Sequence, residues 1–304
     1  MSDKLICNCC QSSHINQNNN VNNFHHFECK DCLYEFFMPI NNDEVRIDNK
    51  LYENDSDYKN DLTISPNYNS LIMWSHKKAF QFIKRKKENF SVLDFGTYNG
   101  FFVRFLKDRG IKAFGYDFNN NSIDAGIKLY NLKNYITTNL TEFNIKKFDC
   151  ITAFEVIEHL DDINEFILTI KKLLSDDGYI ILSTPNNKMV WRPPLDFPPH
   201  HLSRFSSHSL CRLFENNGFE IVKTYQQMSI FDLIRNFAGI LFRDKNSNSL
   251  KGGEFKNSKL TNTLKRILNS SREIFYILFF PFNLILHLCG FRYISQVIIA
   301  KKIK

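Results

Sequence analysis

One stretch of the chain, from Ser91 to Asp117, constrains the fold more than any other. The run SVLDFG has the composition of a strand, GFFVRFLKDRG has helical spacing and ends at Gly110, and IKAFGYD has the composition of a second strand. A strand, a helix and a strand in close succession predict a crossover unit with parallel strands. Such units build a doubly wound α/β sheet.

The rest of the chain continues this alternation. Further strands are expected at NYITT, FDCITAFEV, YIILSTP, FEIVKTYQQ and YISQVIIAKK. Further helices are expected at 71–90, NSIDAGIKLYN, NEFILTIKKLLSDDG and SHSLCRLFENNG. We therefore predict an α/β fold with a Rossmann-like, doubly wound sheet.

The composition is that of a globular protein with attachments to one main domain. Hydrophobic residues make up 43% of the 304 residues and charged residues 23%, so disorder is not expected for the whole chain. Residues 1–40 hold two pairs of cysteines, 41–70 form a polar linker, and 71–304 form the main domain. These boundaries predict a small N-terminal module beside a larger α/β domain.

A long insertion, about 229–292, precedes the last predicted strand. It contains two apolar stretches that predict helices, separated by a polar linker. The second stretch is flanked by basic residues, so 274–290 could lie in a membrane interface and receive a lipid-linked acceptor. A lid or a dimer helix packed on the domain is the alternative. No apolar run reaches the length of a membrane span.

The N-terminal cysteines form two CxxC pairs at a separation typical of a structural zinc site. The four predicted ligands are Cys7, Cys10, Cys29 and Cys32. Cys9 could replace one of them, and His25 or His26 could displace a thiolate. Metal binding would supply the folding energy of so small a knuckle. Reduced cysteines and the lack of a secretory signal predict a cytoplasmic location.

The turn after the first strand of the main domain has the features of a nucleotide site. The strand ends at Asp94, and Gly96 and Gly100 permit close approach of a ligand to the helix N-terminus. Asp117, at the tip of the next strand, can accept hydrogen bonds from both hydroxyls of a ribose. A nicotinamide site would need G-x-G-x-x-G, which the sequence after Asp94 lacks.

Five ordered motifs, VLDFGTYNGFFVRFL, AFGYD, FDCITAFEVIEHL, GYIILSTPN and LCRLFENNGFEIV, resemble those of class I S-adenosylmethionine-dependent methyltransferases. The resemblance covers about 71–304, and the branch that includes ubiquinone-biosynthesis O-methyltransferases and bacterial glycan-cluster enzymes is the most similar. It implies a seven-stranded sheet whose last strand, YISQVIIAKK, is antiparallel. It also implies cofactor-binding residues, which are Asp94, Gly96, Tyr98, Gly100, Asp117, Phe118, Asn139 and Phe154.

Two of these positions depart from the family pattern. Asn139 stands where the family usually has an Asp near the adenine. Tyr98 replaces the middle glycine of the turn, so either the turn differs or the tyrosine folds over the cofactor.

The run Glu155, Val156, Ile157, Glu158, His159 is a candidate for the chemistry. A helical turn would project Glu155 and Glu158 to one side. Carboxylates with one imidazole suit magnesium or manganese, and the run is similar to the magnesium site of small-RNA 2′-O-methyltransferases. The alternative is that EHL only opens a helix.

Two histidines of the later Pro-rich loop are further candidates. His200 or His201 could complete the metal site, and either could act as a general base, as could Glu155. Both histidines follow a strand, at the edge of the sheet where ligands bind in open α/β folds.

The sequence therefore predicts a methyltransferase that uses S-adenosylmethionine, zinc and a possible magnesium or manganese ion. The expected acceptor is a hydroxyl of a small molecule or a glycan. An RNA methyltransferase and a non-catalytic zinc-knuckle binding protein with a degenerate pocket are the alternatives. Nucleic acid is not the expected partner, because the net charge of +7 forms no dense Arg/Lys stripe.

Overall fold

The structure is a computed structural model that describes residues 5–41, 68–143, 147–189, 192, 196–227, 278–288 and 294–303. The strands within these residues are β1 (Ile15–Val21), β2 (Phe24–Cys29), β3 (Glu35–Pro39), β4 (Ser91–Phe95), β5 (Lys112–Tyr116), β6 (Ile136–Thr137), β7 (Phe148–Phe154), β8 (Leu174–Pro185), β9 (Ser203–Arg204), β10 (Phe219–Gln227) and β11 (Ser295–Lys302). The α-helices are α1 (Trp74–Ile83), α2 (Phe101–Lys107), α3 (Asn120–Tyr130), α4 (Ile163–Leu173), α5 (Ser207–Asn216) and α6 (Phe280–Leu288).

Seven strands form the central sheet in the order β10-β11-β8-β7-β4-β5-β6. Strands β4 to β8 pair in parallel, whereas β11 runs antiparallel to both β8 and β10. This arrangement confirms the predicted Rossmann-like sheet and its antiparallel last strand. After β4 the chain builds β5 and β6 on one side and then returns to place β7 and β8 on the other. The carboxyl end of β4 is therefore the topological switch point, where open α/β sheets bind ligands.

Polar side chains fix where several helices begin. The side chains of Asn119, Asp162 and Ser206 accept hydrogen bonds from the first-turn amides of α3, α4 and α5. These caps satisfy amide groups that have no partner inside a helix. They also set the register in which each apolar helix face packs on the sheet.

Two predicted helices are shorter than expected. The helix predicted at 71–90 spans only Trp74–Ile83, and that predicted to run to Gly178 ends at Leu173. Leu174 instead begins β8, where it is fully buried and pairs with Phe148 of β7. Burial of an apolar side chain in the sheet outweighs the helical periodicity of the preceding turn.

The N-terminal module does not have a sheet of its own. Its three strands continue into β9, which belongs to the main domain, in the order β1-β2-β3-β9. Glu35 pairs with Arg204 and Phe36 with Ser203 across the β3–β9 junction. The module and the main domain therefore share a sheet.

Only part of the predicted insertion lies within the described residues. Its helix α6 and the residues just before it expose apolar side chains, which are Leu278, Phe280, Phe282, Leu284, Ile285 and Leu288. Among the described residues, none of the helices combines the length and apolarity needed to cross a bilayer. Contact with a membrane surface, and packing as a lid, both stay predictions, as does the cytoplasmic location. The linker 42–67 and the stretch 228–277 lie outside the described residues.

Candidate functional site

The turn between β4 and α2 is built from left-handed residues. Gly96, Tyr98 and Gly100 have φ angles of 76°, 56° and 75°. Tyr98 thus adopts the conformation that the replaced glycine would take freely, although a side chain in this region costs about 1–2 kcal/mol. The backbone of the turn is therefore left-handed at Tyr98, and the folding of the tyrosine over the cofactor stays a prediction.

Four glycines let neighbouring segments approach this turn closely. A Cβ on Gly96 would lie 2.5 Å from Val156 Cγ2, and one on Gly100 would lie 2.7 Å from Leu132 Cδ1. Gly115 and Gly126, which the sequence analysis missed, would meet the Thr97 side chain at 2.7 Å and the Asn99 carbonyl oxygen at 2.1 Å. An isolated glycine inside a predicted strand or helix often marks such an approach, so this signal was available.

Asp117 ties the tip of β5 to the turn. One carboxylate oxygen accepts a hydrogen bond from the Tyr98 amide at 2.7 Å and the other from the Asn119 amide at 3.0 Å. Burial raises the pKa of Asp117 to about 6, although these amide bonds oppose the shift. A carboxylate has about four lone-pair positions. The Phe118 amide is a third donor to this carboxylate, so about one position remains for a ligand hydroxyl.

Asp94 lies buried at the end of β4, beneath the turn. Its two oxygens accept hydrogen bonds from the hydroxyls of Thr152 at 2.7 Å and Thr97 at 2.8 Å. Burial raises the pKa of Asp94 to about 7. Asp94 thus fixes the start of the turn through Thr97 and the adjacent strand through Thr152.

The other predicted cofactor residues lie around this turn or near it. Phe118 follows Asp117 directly, and its side chain is 44% exposed. Asn139 uses its side-chain oxygen to accept hydrogen bonds from the amide and the hydroxyl of Thr141. Phe154 ends β7, and its ring centre lies 4.2 Å from that of the buried His76 on α1.

A group of three side chains forms beyond β7. Potential ligand atoms of Glu158, His159 and His201 all lie within 4.8 Å of one another. We call this group the histidine cluster. Of the two loop histidines left open by the sequence, His201 joins the cluster, whereas His200 contributes a backbone carbonyl that accepts a hydrogen bond from His159.

Glu155 does not belong to the histidine cluster. Glu155 and Glu158 do not share a helical turn, because Glu155 has a φ of 53° and only Ile157–His159 form a 3-10 turn, although their carboxyl groups still lie close together. The left-handed residue reverses the chain before the turn begins. One Glu155 carboxylate oxygen instead accepts a hydrogen bond from the Ser183 hydroxyl at 2.7 Å.

Both histidine rings are held by hydrogen bonds at Nδ1. His159 Nδ1 lies 2.7 Å from the His200 carbonyl oxygen, and His201 Nδ1 lies 3.0 Å from Asp196 Oδ1. When Nδ1 donates to such an acceptor, Nε2 keeps its lone pair for a metal or a proton. The sequence analysis missed Asp196, whose signal was an acidic residue five positions before His201.

The charge of Glu158 has no partner of opposite sign in the cluster. The side chain is buried, and among the described residues neither carboxylate oxygen has a hydrogen bond of good geometry, although the Glu155 carboxyl group and the Thr184 hydroxyl lie nearby. Burial and the nearby Glu155 charge raise its pKa well above the usual value. Burial also lowers the pKa of His159 to about 3, which keeps that imidazole neutral. A neutral imidazole beside an unpaired carboxylate fits a divalent cation.

The histidine cluster lies beside the glycine turn. Val156, which immediately precedes the 3-10 turn of Glu158, packs where a Cβ on Gly96 would clash. The start of this 3-10 turn therefore contacts the glycine turn at the carboxyl edge of the sheet. A donor held at the turn and an acceptor held at the cluster would be neighbours.

The four predicted zinc ligands come together in the N-terminal module. The Sγ atoms of Cys7 and Cys32 are 3.5 Å apart, as are those of Cys10 and Cys29, and all four lie within 4.8 Å of one another. No disulfide joins them. Tetrahedral thiolates about 2.3 Å from a zinc ion would be roughly 3.8 Å apart. The cluster fits a zinc site with four thiolate ligands, and neither His25 nor His26 belongs to it.

The sheet order, the antiparallel last strand and the turn closed by Asp117 define the class I methyltransferase fold. A family model described as a methyltransferase domain matches residues 72–224, half of the chain. The chain belongs to this methyltransferase family.

Known proteins similar to this chain carry related names. A protein of Mycolicibacterium smegmatis named as a probable S-adenosylmethionine-dependent methyltransferase is 26% identical over 153 residues, which cover 49% of this chain and 59% of that protein. A ubiquinone biosynthesis O-methyltransferase of Rickettsia bellii is 31% identical over 100 residues, covering 31% and 42%. The chain thus spans about half the length of these relatives.

A solved structure agrees in fold. Phosphoethanolamine N-methyltransferase 2 of Haemonchus contortus, in complex with S-adenosyl-L-methionine, superposes with a TM-score of 0.54 and 12% identity. The match covers 89% of this chain and 62% of that one. At this identity the likeness concerns the fold alone.

Proposed function

We propose that this chain transfers a methyl group from S-adenosylmethionine to a hydroxyl of a small-molecule or glycan acceptor. The observation that carries the proposal is the contact between the glycine turn closed by Asp117 and the turn of the histidine cluster. S-adenosylmethionine supplies a methyl group activated by its sulfonium. Transfer is an in-line displacement, so the chain's main task is to hold two reactants close and aligned.

The turn residues would hold the cofactor. Gly96 and Gly100 would line the methionine end, and Asp117 would accept a hydrogen bond from a ribose hydroxyl. Asp94, Tyr98, Phe118, Asn139 and Phe154 complete the proposed cofactor set. The Tyr98 amide keeps Asp117 oriented toward the turn.

Cofactor binding is tested with the variant Asp117→Ala. Hydrogen bonds to a charged group are worth about 1.5–3 kcal/mol, so the variant should weaken S-adenosylmethionine binding by roughly 10- to 100-fold in calorimetry. Asp124→Ala, on α3 close in the sequence, is the control and should bind as the wild type does. Unchanged affinity in Asp117→Ala would remove Asp117 from the site. A wild type that binds no cofactor would favour the non-catalytic alternative.

For the acceptor side we propose that Glu158, His159 and His201 bind a divalent cation. Two imidazoles and one carboxylate suit manganese better than magnesium. A cation lowers the pKa of a bound hydroxyl and so favours the alkoxide as nucleophile. The Nδ1 hydrogen bonds of both histidines support this role, because such contacts orient metal ligands.

The metal proposal is tested with manganese as the probe. Electron paramagnetic resonance should detect about one bound Mn²⁺ at this cluster, and Glu158→Gln should lose it while keeping S-adenosylmethionine affinity. Glu165→Gln, at an exposed residue of α4, should keep the ion. If wild type binds no Mn²⁺ and keeps its activity without metal, His201 with Asp196 becomes a metal-free general base.

We propose a structural zinc ion at Cys7, Cys10, Cys29 and Cys32. The four converging thiols support it, because their mutual distances suit one tetrahedral ion and three of them are fully buried.

An acceptor screen with methyl-labelled cofactor decides between a small hydroxyl compound, a glycan and RNA. If RNA is the substrate that becomes labelled, the chain is an RNA methyltransferase, and the small-molecule or glycan acceptor is ruled out.

A further inference from the structure

The cysteine module, residues 5–39, contacts one loop of the main domain through several hydrogen bonds and ring contacts. We call residues 196–206 the histidine loop, because it carries His201. Phe37 donates its amide hydrogen to the Leu202 carbonyl at 2.9 Å, and the Ser206 hydroxyl donates to the Cys32 carbonyl at 2.9 Å. The rings of Tyr34 and Phe205 pack 5.0 Å apart. The histidine loop is therefore held on one side by the module.

The other side of the histidine loop contacts the turn that carries Glu158. The Leu202 amide donates a hydrogen bond to the Glu158 carbonyl at 2.8 Å, and the carbonyl of the same Leu202 accepts the hydrogen bond from Phe37. His159 reaches the His200 carbonyl at 2.7 Å. Strand β9 thus lies between the cysteine module and the histidine cluster. A displacement of β3 would be transmitted to both histidines.

A chain of charges follows the same path. Glu35 on β3 pairs with Arg204 at 3.0 Å, Arg204 donates to the Asp196 backbone carbonyl at 2.7 Å, and Asp196 holds the His201 ring at 3.0 Å. All four side chains are largely buried. Arg192 also pairs with Asp196, so the carboxylate stays anchored by two guanidinium groups.

We infer that the cysteine module positions the acceptor side of the site, with Glu35 acting through Arg204 and Asp196 on His201. Glu35 is a positioning residue, since it contacts neither the glycine turn nor the histidine cluster directly. A zinc ion in the cysteine module would then stabilise the histidine loop as well as the module itself. The role of His201 in this inference rests on the proposed function, whereas the ordering of the loop does not.

The test compares two glutamates that face each other on neighbouring strands, in the full-length protein. Glu28 and Glu35 are paired across β2 and β3, but Glu28 pairs with the surface residue Lys30. In Glu35→Gln we expect hydrogen exchange at the Leu202 amide to rise about tenfold, while the Tyr98 amide keeps its protection. Glu28→Gln should change neither. Arg204→Lys keeps the positive charge but loses the planar guanidinium donors, so it should raise exchange at Leu202 as Glu35→Gln does. It replaces Glu35→Gln in the test if that variant fails to fold.

Ligand binding separates positioning from general destabilisation. Altering a group that orients a metal ligand typically costs 10- to 100-fold in metal affinity, so Glu35→Gln should weaken Mn²⁺ binding about tenfold and leave S-adenosylmethionine affinity unchanged. Exchange at Leu202 that stays at the wild-type rate, or that rises equally in Glu28→Gln, overturns the inference. If wild type binds no Mn²⁺, the metal proposal fails, and the exchange comparison still decides the role of the module.

Discussion

At the level of single residues, burial sets the charge state of the site. Asp94 and Asp117 lie close together, and their carboxyl groups are removed from water without a cationic partner among the described residues. Hydroxyl and amide donors offset part of this cost. A cationic cofactor would offset more, because S-adenosylmethionine carries a sulfonium charge.

The raised pKa of Asp94, about 7, predicts how stability depends on pH. Its pKa in the unfolded chain is about 3.9, so between these values the folded protein binds one more proton than the unfolded chain. The contribution of Asp94 therefore stabilises the fold as pH falls from about 7 to 4, at about 1.4 kcal/mol per pH unit. Urea unfolding of the cofactor-free protein should show this slope, and Asp94→Asn should reduce it by this amount, because Asp117 with its raised pKa contributes in the same direction.

Asp149 provides the control of opposite sign. Burial alone would raise its pKa, but hydrogen bonds from Ser91 and the nearby Lys87 lower it. Its stabilising contribution is therefore present above the unfolded pKa and is lost as pH falls below it. If Asp94→Asn and Asp149→Asn changed the pH slope in the same direction, the assignment for Asp94 would be wrong.

At the level of elements, the turn depends on the helix packed against it. Helix α3 approaches the turn at Gly126, where a Cβ would lie 2.1 Å from the Asn99 carbonyl oxygen. Asn99 is buried and precedes Gly100, the left-handed residue that begins α2. The position of α3 therefore determines how the turn faces a ligand.

Gly126→Ala should destabilise the protein although alanine favours helices. Helix propensity would gain about 1 kcal/mol, but a clash with a backbone atom forces α3 to move and costs more, so we expect a net loss of roughly 2–3 kcal/mol in thermal or urea unfolding. S-adenosylmethionine affinity should fall as well. Asp124→Ala is the matched control, because Asp124 is exposed on the same helix and gains helix propensity without a clash. A stabilised Gly126→Ala variant would show that propensity outweighs the contact.

The sequence predicted the elements better than their contacts. Hydrophobic periodicity identified the strands of the central sheet, since it depends only on which side chains face the core. The end of α4 was missed because Leu174 belongs to β8, where it pairs with Phe148, a residue distant in the sequence. Likewise, the local spacing of Glu155 and Glu158 could not reveal the left-handed Glu155, and it placed both carboxylates in the metal site, whereas only Glu158 belongs to the histidine cluster.

At the level of the whole molecule, the module and the main domain form one buried core. Cys7, Cys9, Cys29 and Cys32 belong to the same hydrophobic cluster as Leu213 and other core residues of α4, α5 and the central sheet. The Asn216 side chain of α5 also donates to the Cys9 carbonyl at 2.9 Å. The module therefore packs on the main domain, and the domain boundary at residue 40 stays a prediction. The sequence could not reveal this packing, because β9, the strand that joins the module to the main domain, is only two residues long and has no recognisable pattern.

This shared core predicts that the loss of zinc destabilises the entire chain. Elemental analysis of protein purified without chelator should find about one zinc per chain, and Cys29→Ser should lose it. Because binding energy at a structural zinc site is folding energy, the variant should unfold several degrees lower in temperature, in the main-domain signal as well as in the module. Cys211→Ser, at a cysteine outside the four-thiol cluster, should keep both zinc and stability. Zinc-free wild type, or a Cys29→Ser variant in which only the module loses structure, would contradict this coupling.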